Sequence, residues 1–202
     1  MKLYYAPGAC SLSPHIALRE TGMTFDLDKV DLGEKKTSDG GDFTKINPLG
    51  YVPALELDNG DVLPEGAAIV QYLADQAPAA KLLPESGTME RYRAQEWLTF
   101  ISSELHKGFS PLFNPALEGD MKSSVITRLE SRFDYVDKQL EGQQYLTGDD
   151  FSMVDAYGFT VINWANSKDI DLSRWPNISA YMGRVAARPK VHEALKAEGL
   201  VE

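Results

Sequence analysis

A change in hydrophobic pattern near residue 80 is the feature that most constrains the fold of this chain. Before it, apolar residues occur in short extended runs separated by Pro, Gly and Asn. After Thr88 strand patterns nearly vanish, and apolar residues repeat at the three- and four-residue spacing of amphipathic helices. The sequence therefore predicts a mixed α/β domain over 1–80, a linker over 81–87 and an all-helical domain over 88–202.

The first part follows a recognisable order of strands and helices. Asp58, Asn59 and Gly60 mark a tight hairpin, because Asn and Gly tolerate positive φ. The predicted elements are a strand at 3–5, a helix at 11–20 ended by Gly22, a half-buried strand at 25–32, hairpin strands at 52–57 and 61–63, and a helix that runs from Glu65 and stops before Pro78. A βαβ unit followed by a β-hairpin and a helix is the thioredoxin-like arrangement.

The second part contains only helical patterns. Ser152 and Asp155 form a capping-box pair, and the apolar residues that follow point in several directions, which predicts a helix buried on nearly all sides. Further helices are predicted around 97–105, around 125–140, from Pro176 and from Pro189. The fold class is thus α/β plus all-α.

Composition excludes several classes of function. The 202 residues carry a net charge of -10, so nucleic acid and anionic membrane surfaces are unfavourable partners. One Cys and three His cannot form a disulfide framework or a structural zinc site. No apolar run approaches the roughly 20 residues of a membrane span. We expect a cytoplasmic protein without a metal.

Cys10 is a candidate nucleophile. It follows Pro7 and Gly8 and precedes a helix, whose exposed N–H groups and positive dipole end favour a thiolate. Ser13 stands where a dithiol oxidoreductase has its second Cys, so any redox cycle requires an external thiol. The alternative is an inert buried thiol. Tyr5 ends the preceding strand and could donate a hydrogen bond to the sulfur, or belong to the core.

A second candidate region surrounds Pro53. If the Val52–Pro53 bond is cis, the Val52 N–H and C=O turn outward and can pair with an extended peptide; an ordinary trans turn is the alternative. Glu65 and Gly66 open a helix whose first N–H groups can bind a ligand carboxylate. Glu65 can hold an ammonium group, or only compensate the helix dipole.

The helical part contributes a polar stripe. Thr99, Ser103 and His106 are spaced to lie opposite the apolar face that includes Ile101 and Leu105. His106 is a candidate catalytic group, although a histidine on a solvated face is more often a surface residue. Lys35 is a candidate cationic group for a ligand or simply a solvated charge.

These features together resemble the bacterial beta-class glutathione S-transferases. The motifs that carry the resemblance are Tyr5, PGACS at 7–11, INPLGYVPAL at 46–55, LPEGAAI at 63–69, ELHKG at 104–108 and FSMVDAY at 151–157. The resemblance implies a homodimer with glutathione as cosubstrate on the thioredoxin-like domain, and a pocket between domains for a small-molecule electrophile or disulfide. Tyr51 departs from the pattern, since related sequences often have Gln there.

The resemblance also assigns residues to the site. It places catalytic roles at Cys10, His106 and Tyr5. It assigns glutathione binding to Cys10, Lys35, Val52, Glu65, Gly66, Thr99, Ser103, Glu104, Leu105 and His106, part of them from the partner subunit.

The implied activity is transfer of glutathione to electrophilic, mostly hydrophobic substrates. Thiol-transferase or peroxidase activity through a Cys10 mixed disulfide is a further hypothesis. Two alternatives stay open: a glutathione-dependent isomerase or dehalogenase, and a non-catalytic interaction protein of the stringent starvation type on the same fold.

Overall fold

The structure divides the chain into two compact units. The computed structural model describes residues 1–168 and 170–202. The first unit comprises Met1–Leu83 together with Ala187–Glu202, and the second comprises Pro84–Ala186. The sequence-based boundaries of 1–80, 81–87 and 88–202 differ from this division in the C-terminal segment, which joins the first unit.

The first unit is built on a four-stranded sheet. Its strands are β1 Lys2–Tyr5, β2 Asp26–Lys29, β3 Ala54–Glu56 and β4 Val62–Pro64, in the order β2-β1-β3-β4. β1 pairs in parallel with β2 and antiparallel with β3, and β3 pairs antiparallel with β4. Helices α1 Leu12–Thr21 and α2 Gly66–Gln76 follow β1 and β4. This βαβ-ββα order confirms the thioredoxin-like prediction.

Helix α1 starts and stops where the sequence signals place it. Pro14 lies in the first turn, where no intrahelical N–H bond is lost. Gly22 ends the helix in the left-handed conformation with φ of 71°, and its N–H donates to the Arg19 carbonyl. The first seven residues of α1, 12–18, are all buried, so α1 is the central helix of this unit.

The C-terminal helix α8, Pro189–Ala197, packs against α1. The Arg188 guanidinium donates to both carboxylate oxygens of Glu20, at 2.8 and 2.9 Å. Beyond the helix, the fully buried Glu198 carboxylate lies 2.8 Å from Nδ1 of the buried His15. A helical pattern alone indicates a helix but not the core that it joins, which is why the sequence assigned α8 to the helical domain.

The second unit consists of helices, as predicted. Helix α3 Met89–Phe100 continues through a π-helical segment, Ile101–His106, into the single turn α4 Lys107–Phe109. The other helices are α5 Gly119–Gln139, α6 Met153–Ile162 and α7 Pro176–Ala186, with short 3-10 turns between them. Every residue of α6 is buried, which confirms the prediction for this helix.

The predicted capping box begins α6. The Ser152 hydroxyl accepts from the Val154 N–H at 3.2 Å, and the Asp155 carboxylate accepts from the Ser152 N–H at 2.8 Å. The other Asp155 oxygen accepts from the Leu146 N–H at 2.9 Å, which ties the preceding loop to the helix. In the described part of the chain, no helix carries an apolar stretch of the length that a bilayer requires.

Candidate functional site

The segment between β1 and α1 holds Cys10 beside the loop that precedes β3. The Ser11 hydroxyl lies within hydrogen-bonding distance of both the N–H and the carbonyl of Ala6, at 3.1 and 3.2 Å, and so closes a tight turn. Cys10 stands two residues before the first residue of α1. Its thiol donates to the Val52 carbonyl at 3.2 Å. The structure thus brings together two residues that the sequence predicted for one site.

The pKa of Cys10 differs from the sequence-based expectation. Part of the residue surface remains accessible, but the thiol is largely desolvated, which raises its pKa to about 12. The backbone N–H groups of Cys10 and Ser11 act in the opposite direction, and the negative charge of Glu65 raises the pKa further. The backbone N–H groups in front of α1 do favour the thiolate, as predicted, but desolvation outweighs them and the net pKa is raised.

We expect Cys10 to be alkylated slowly in the protein alone. At pH 8 a pKa of about 12 leaves about 1 thiol in 10,000 ionised, against about one in four for an ordinary cysteine. Iodoacetamide labelling followed by intact mass should be at least about 100-fold slower than for free cysteine, and its rate should keep rising up to pH 10. A plateau below pH 9 would contradict the raised pKa.

The Val52–Pro53 bond is cis, as the sequence suggested. Val52 is itself buried, with 3% of its surface exposed. The expectation of an outward-facing, unoccupied carbonyl holds only in part, since this carbonyl accepts the Cys10 thiol. The segment is anchored on its other side by Asn47, whose amide donates to the Tyr51 carbonyl at 2.7 Å.

Glu65 occupies an uncommon backbone conformation directly before α2. Its φ is 75°, in the region that non-glycine residues rarely adopt, and its carboxylate makes no capping bond to the helix. The carboxylate instead accepts from the Tyr51 hydroxyl at 3.1 Å. Gly66 is the first residue of α2, and its position in the first turn gives its N–H no intrahelical partner.

Lys35 lies in the loop after β2. Its backbone also has positive φ, 56°, and its ammonium donates to the Gly50 carbonyl at 2.8 Å. Gly50 is in the left-handed region with φ of 67°, and the Lys35 side chain packs against the position that a Cβ would take there. Lys35 therefore connects the loop after β2 to the segment that leads to Tyr51 and Val52.

Tyr5 is half-buried at the end of β1. Its ring lies 6.1 Å from that of the buried His15. Burial raises the pKa of its phenol, and the negative charges of Glu198 and Asp28 add to the effect. Tyr5 therefore lies at the edge of the core, in contact with a buried ring. The Cys10 thiol donates to the Val52 carbonyl.

The candidate residues of the second unit follow one another along α3 and the π-helical segment. The hydroxyls of Thr99 and Ser103 are exposed and donate to backbone carbonyls one turn earlier, at 2.8 and 2.9 Å. The Glu104 carboxylate accepts from the Arg132 guanidinium at 2.9 Å. Leu105 is fully buried.

His106 does not lie on a simple solvated face. Its Nδ1 is 2.7 Å from the Tyr157 hydroxyl, and its ring packs edge-on against those of Tyr157 and Trp164. The predicted stripe of Thr99, Ser103 and His106 assumed 3.6 residues per turn throughout. The turn of the π-helical segment is wider than that spacing, and His106, the last residue of the segment, is half-buried against an aromatic cluster.

Sequence reasoning missed the partners of these residues. Tyr157 and Trp164 carried the signal of buried helix residues only, and nothing in the spacing linked them to His106. Arg132 lies 28 positions from Glu104 on a different helix. Tyr51 was noted as a departure from the related sequences, but its bond to Glu65 was not predicted.

A thioredoxin-like unit with a cis-proline before β3, followed in sequence by a helical unit, defines the fold of the glutathione S-transferases. Residues 8–76 match the family model of the glutathione S-transferase N-terminal domain, and residues 100–189 match that of the C-terminal domain. The chain belongs to the glutathione S-transferase family.

Individual relatives are similar over the whole chain. Glutathione S-transferase GstA of Escherichia coli O157:H7 is 48% identical over 99% of this chain and 100% of its own length. The solved beta-class glutathione S-transferase of Sphingomonas chungbukensis is 50% identical, with a TM-score of 0.96 and 100% of both chains covered. A sphingomonad glutathione S-transferase solved in complex with glutathione is 47% identical, with the same TM-score of 0.96 and coverage of 100% of both chains.

Proposed function

We propose that the protein transfers glutathione to electrophilic, mostly hydrophobic substrates. The observation that carries this proposal is the convergence of Cys10, Val52 and Tyr51 with Glu65, the residue that precedes α2. A thiol, a backbone segment and a carboxylate are the groups that a sulfur-containing, zwitterionic tripeptide requires. The similarity to a transferase solved with glutathione supports the same ligand.

Each residue of the first unit has a separate part in this proposal. The backbone before Pro53 pairs with the extended tripeptide as an added strand would. Glu65 binds the ammonium group, the Gly66 N–H binds the neighbouring carboxylate, and Lys35 supplies a further cationic group. The proposal includes the residues that the resemblance assigns to the same ligand in the second unit: Thr99, Ser103, Glu104, Leu105 and His106.

The chemistry is displacement or addition by the glutathione sulfur. The thiol proton leaves to solvent and the thiolate forms a bond to the electrophilic carbon. In displacement a leaving group departs with its bonding electrons, and in addition the π electrons of the substrate shift to its neighbouring atom, which then takes up a proton. The Cys10 thiol stays protonated, and its single S–H can turn from the Val52 carbonyl to the developing thiolate and so lower the pKa of glutathione. Proximity of the two reactants supplies a large part of the remaining acceleration.

Thiol transfer is a second candidate activity, which the position of Cys10 favours. The Cys10 thiolate would attack glutathione disulfide, forming a mixed disulfide and releasing one glutathione thiolate, and the thiol of a small-molecule acceptor would then take up the glutathionyl group and restore the Cys10 thiolate. This step needs a Cys10 thiolate, so its raised pKa makes thiol transfer the slower activity.

The proposal also covers assembly and location. We place the protein in the cytoplasm as a homodimer, with no nucleic acid or membrane partner and no metal. The comparisons favour neither a specialised isomerase or dehalogenase nor a non-catalytic interaction protein of the stringent starvation type.

The test is glutathione-dependent turnover of an activated aryl chloride. We expect product formation that saturates with glutathione and is inhibited competitively by an S-alkyl glutathione. The control is the same assay with free cysteine in place of glutathione, which should give only the uncatalysed rate. Equal rates with the two thiols would contradict the proposal.

A further inference from the structure

We propose that Tyr51 is a positioning residue that sets the preference of this site for a ligand with a free α-amino group. The inference rests on the proposed function, in which Glu65 binds the ammonium group of glutathione. It assigns to Tyr51 the task of holding the Glu65 carboxylate in place before the ligand arrives.

The Glu65 carboxylate is available because its own helix does not use it. Residues directly before a helix commonly accept a bond from its first N–H groups, but the Glu65 side chain makes no such bond. Its backbone is in the left-handed region, with a φ of 75°. The Tyr51 hydroxyl donates to one oxygen, Oε1, at 3.1 Å. A carboxylate can accept about four hydrogen bonds, so this contact leaves capacity for an ammonium group.

The backbone of Tyr51 is held in place by hydrogen bonds on both sides of the residue. The buried Asn47 donates to the Tyr51 carbonyl at 2.7 Å. Lys35 donates to the preceding carbonyl, that of Gly50, at 2.8 Å. The phenol stays protonated at neutral pH, since burial and the Glu65 hydrogen bond both raise its pKa, and it is therefore a reliable donor.

Positioning of this kind improves affinity by removing the cost of ordering an exposed, flexible side chain when the ligand binds. Without the phenol, Glu65 samples several rotamers, and only some of them face an ammonium group. The effect is specific to ligands with the amine, because a ligand without it does not need the carboxylate. Amine preference, and not general stability, is therefore the property that Tyr51 controls.

The experiment compares glutathione with its analogue lacking the α-amino group of the γ-glutamyl residue. The readout is the ratio of kcat/KM for the two thiols in the wild-type protein, in Tyr51→Phe and in Tyr4→Phe. Tyr4→Phe is the matched control, because it removes a hydroxyl–carboxylate bond of 2.7 Å to Glu56 in the same unit. We expect Tyr51→Phe to lower the ratio about three- to tenfold and Tyr4→Phe to leave it unchanged.

The Glu65→Gln background separates a positioning role from a merely structural one. If Tyr51 acts through Glu65, then Tyr51→Phe has no further effect on the ratio once Glu65 is Gln. An unchanged or increased ratio in Tyr51→Phe overturns the proposal, as does an equal decrease in both backgrounds. Failure of the wild-type protein to use glutathione at all would instead overturn the proposed function.

Discussion

Replacing Cys10 with alanine should reduce thiol transfer by about 100-fold or more while conjugation stays within about threefold of the wild-type rate. Thiol transfer needs the Cys10 sulfur as the atom that enters the mixed disulfide, and the chain has no other cysteine to replace it. Conjugation uses the sulfur of glutathione, so it loses only the hydrogen bond that Cys10 can donate. Both activities are measured on the same preparation, with glutathione disulfide plus a small acceptor thiol as the substrates for thiol transfer and glutathione plus an activated aryl chloride for conjugation.

Cys10→Ser is the matched control for this prediction. Serine retains an O–H group that can donate to the Val52 carbonyl, so the turn between β1 and α1 should be preserved. We expect it to lose thiol transfer as completely as alanine does and to keep conjugation closer to the wild-type rate. Undiminished thiol transfer in either variant would show that Cys10 is not the redox nucleophile.

Several element boundaries in both units could be predicted because each has a local cause. Gly22 ends α1, Asp58-Asn59-Gly60 turns the hairpin, and Ser152 with Asp155 starts α6, each through the few neighbouring residues that it bonds. The residues that set such a boundary are neighbours in the sequence, so the boundary can be predicted without knowing the rest of the fold. The same logic led to Cys10, Val52 and Glu65, since each lies at a strand or helix boundary.

The remaining features depend on contacts between distant residues. The π-helical segment has no local signature, and the bond between His106 and Tyr157 joins residues 51 positions apart, so helical spacing could not predict it. The sequence pattern of helix α8 does not distinguish it from the helices of the helical domain. Its place in the first unit depends on the bonds of Arg188 and Glu198 to residues of α1. The position of Cys10 indicated the N–H groups that lower its pKa but not the larger effect of desolvation, because spacing does not reveal how much protein surrounds the sulfur.

Glu65→Gln should weaken glutathione binding by about tenfold or more, which corresponds to about 1.4 kcal/mol. Hydrogen bonds to charged groups contribute more than neutral ones, and glutamine keeps the size of the side chain while it removes the charge that an ammonium group needs. The loss should be much smaller for the analogue that lacks the amino group. Asp61→Asn is the matched control, because it removes one exposed carboxylate from the hairpin of the same unit.

The central claim is that this unit binds a sulfur-containing tripeptide with its amine at Glu65. Calorimetric titration of glutathione into the wild-type protein, Glu65→Gln and Asp61→Asn tests it most directly. The account predicts saturable binding to the wild-type protein and Asp61→Asn with equal affinity, and about tenfold weaker binding to Glu65→Gln. Equal affinity for all three proteins, or no heat of binding at millimolar glutathione, would contradict it.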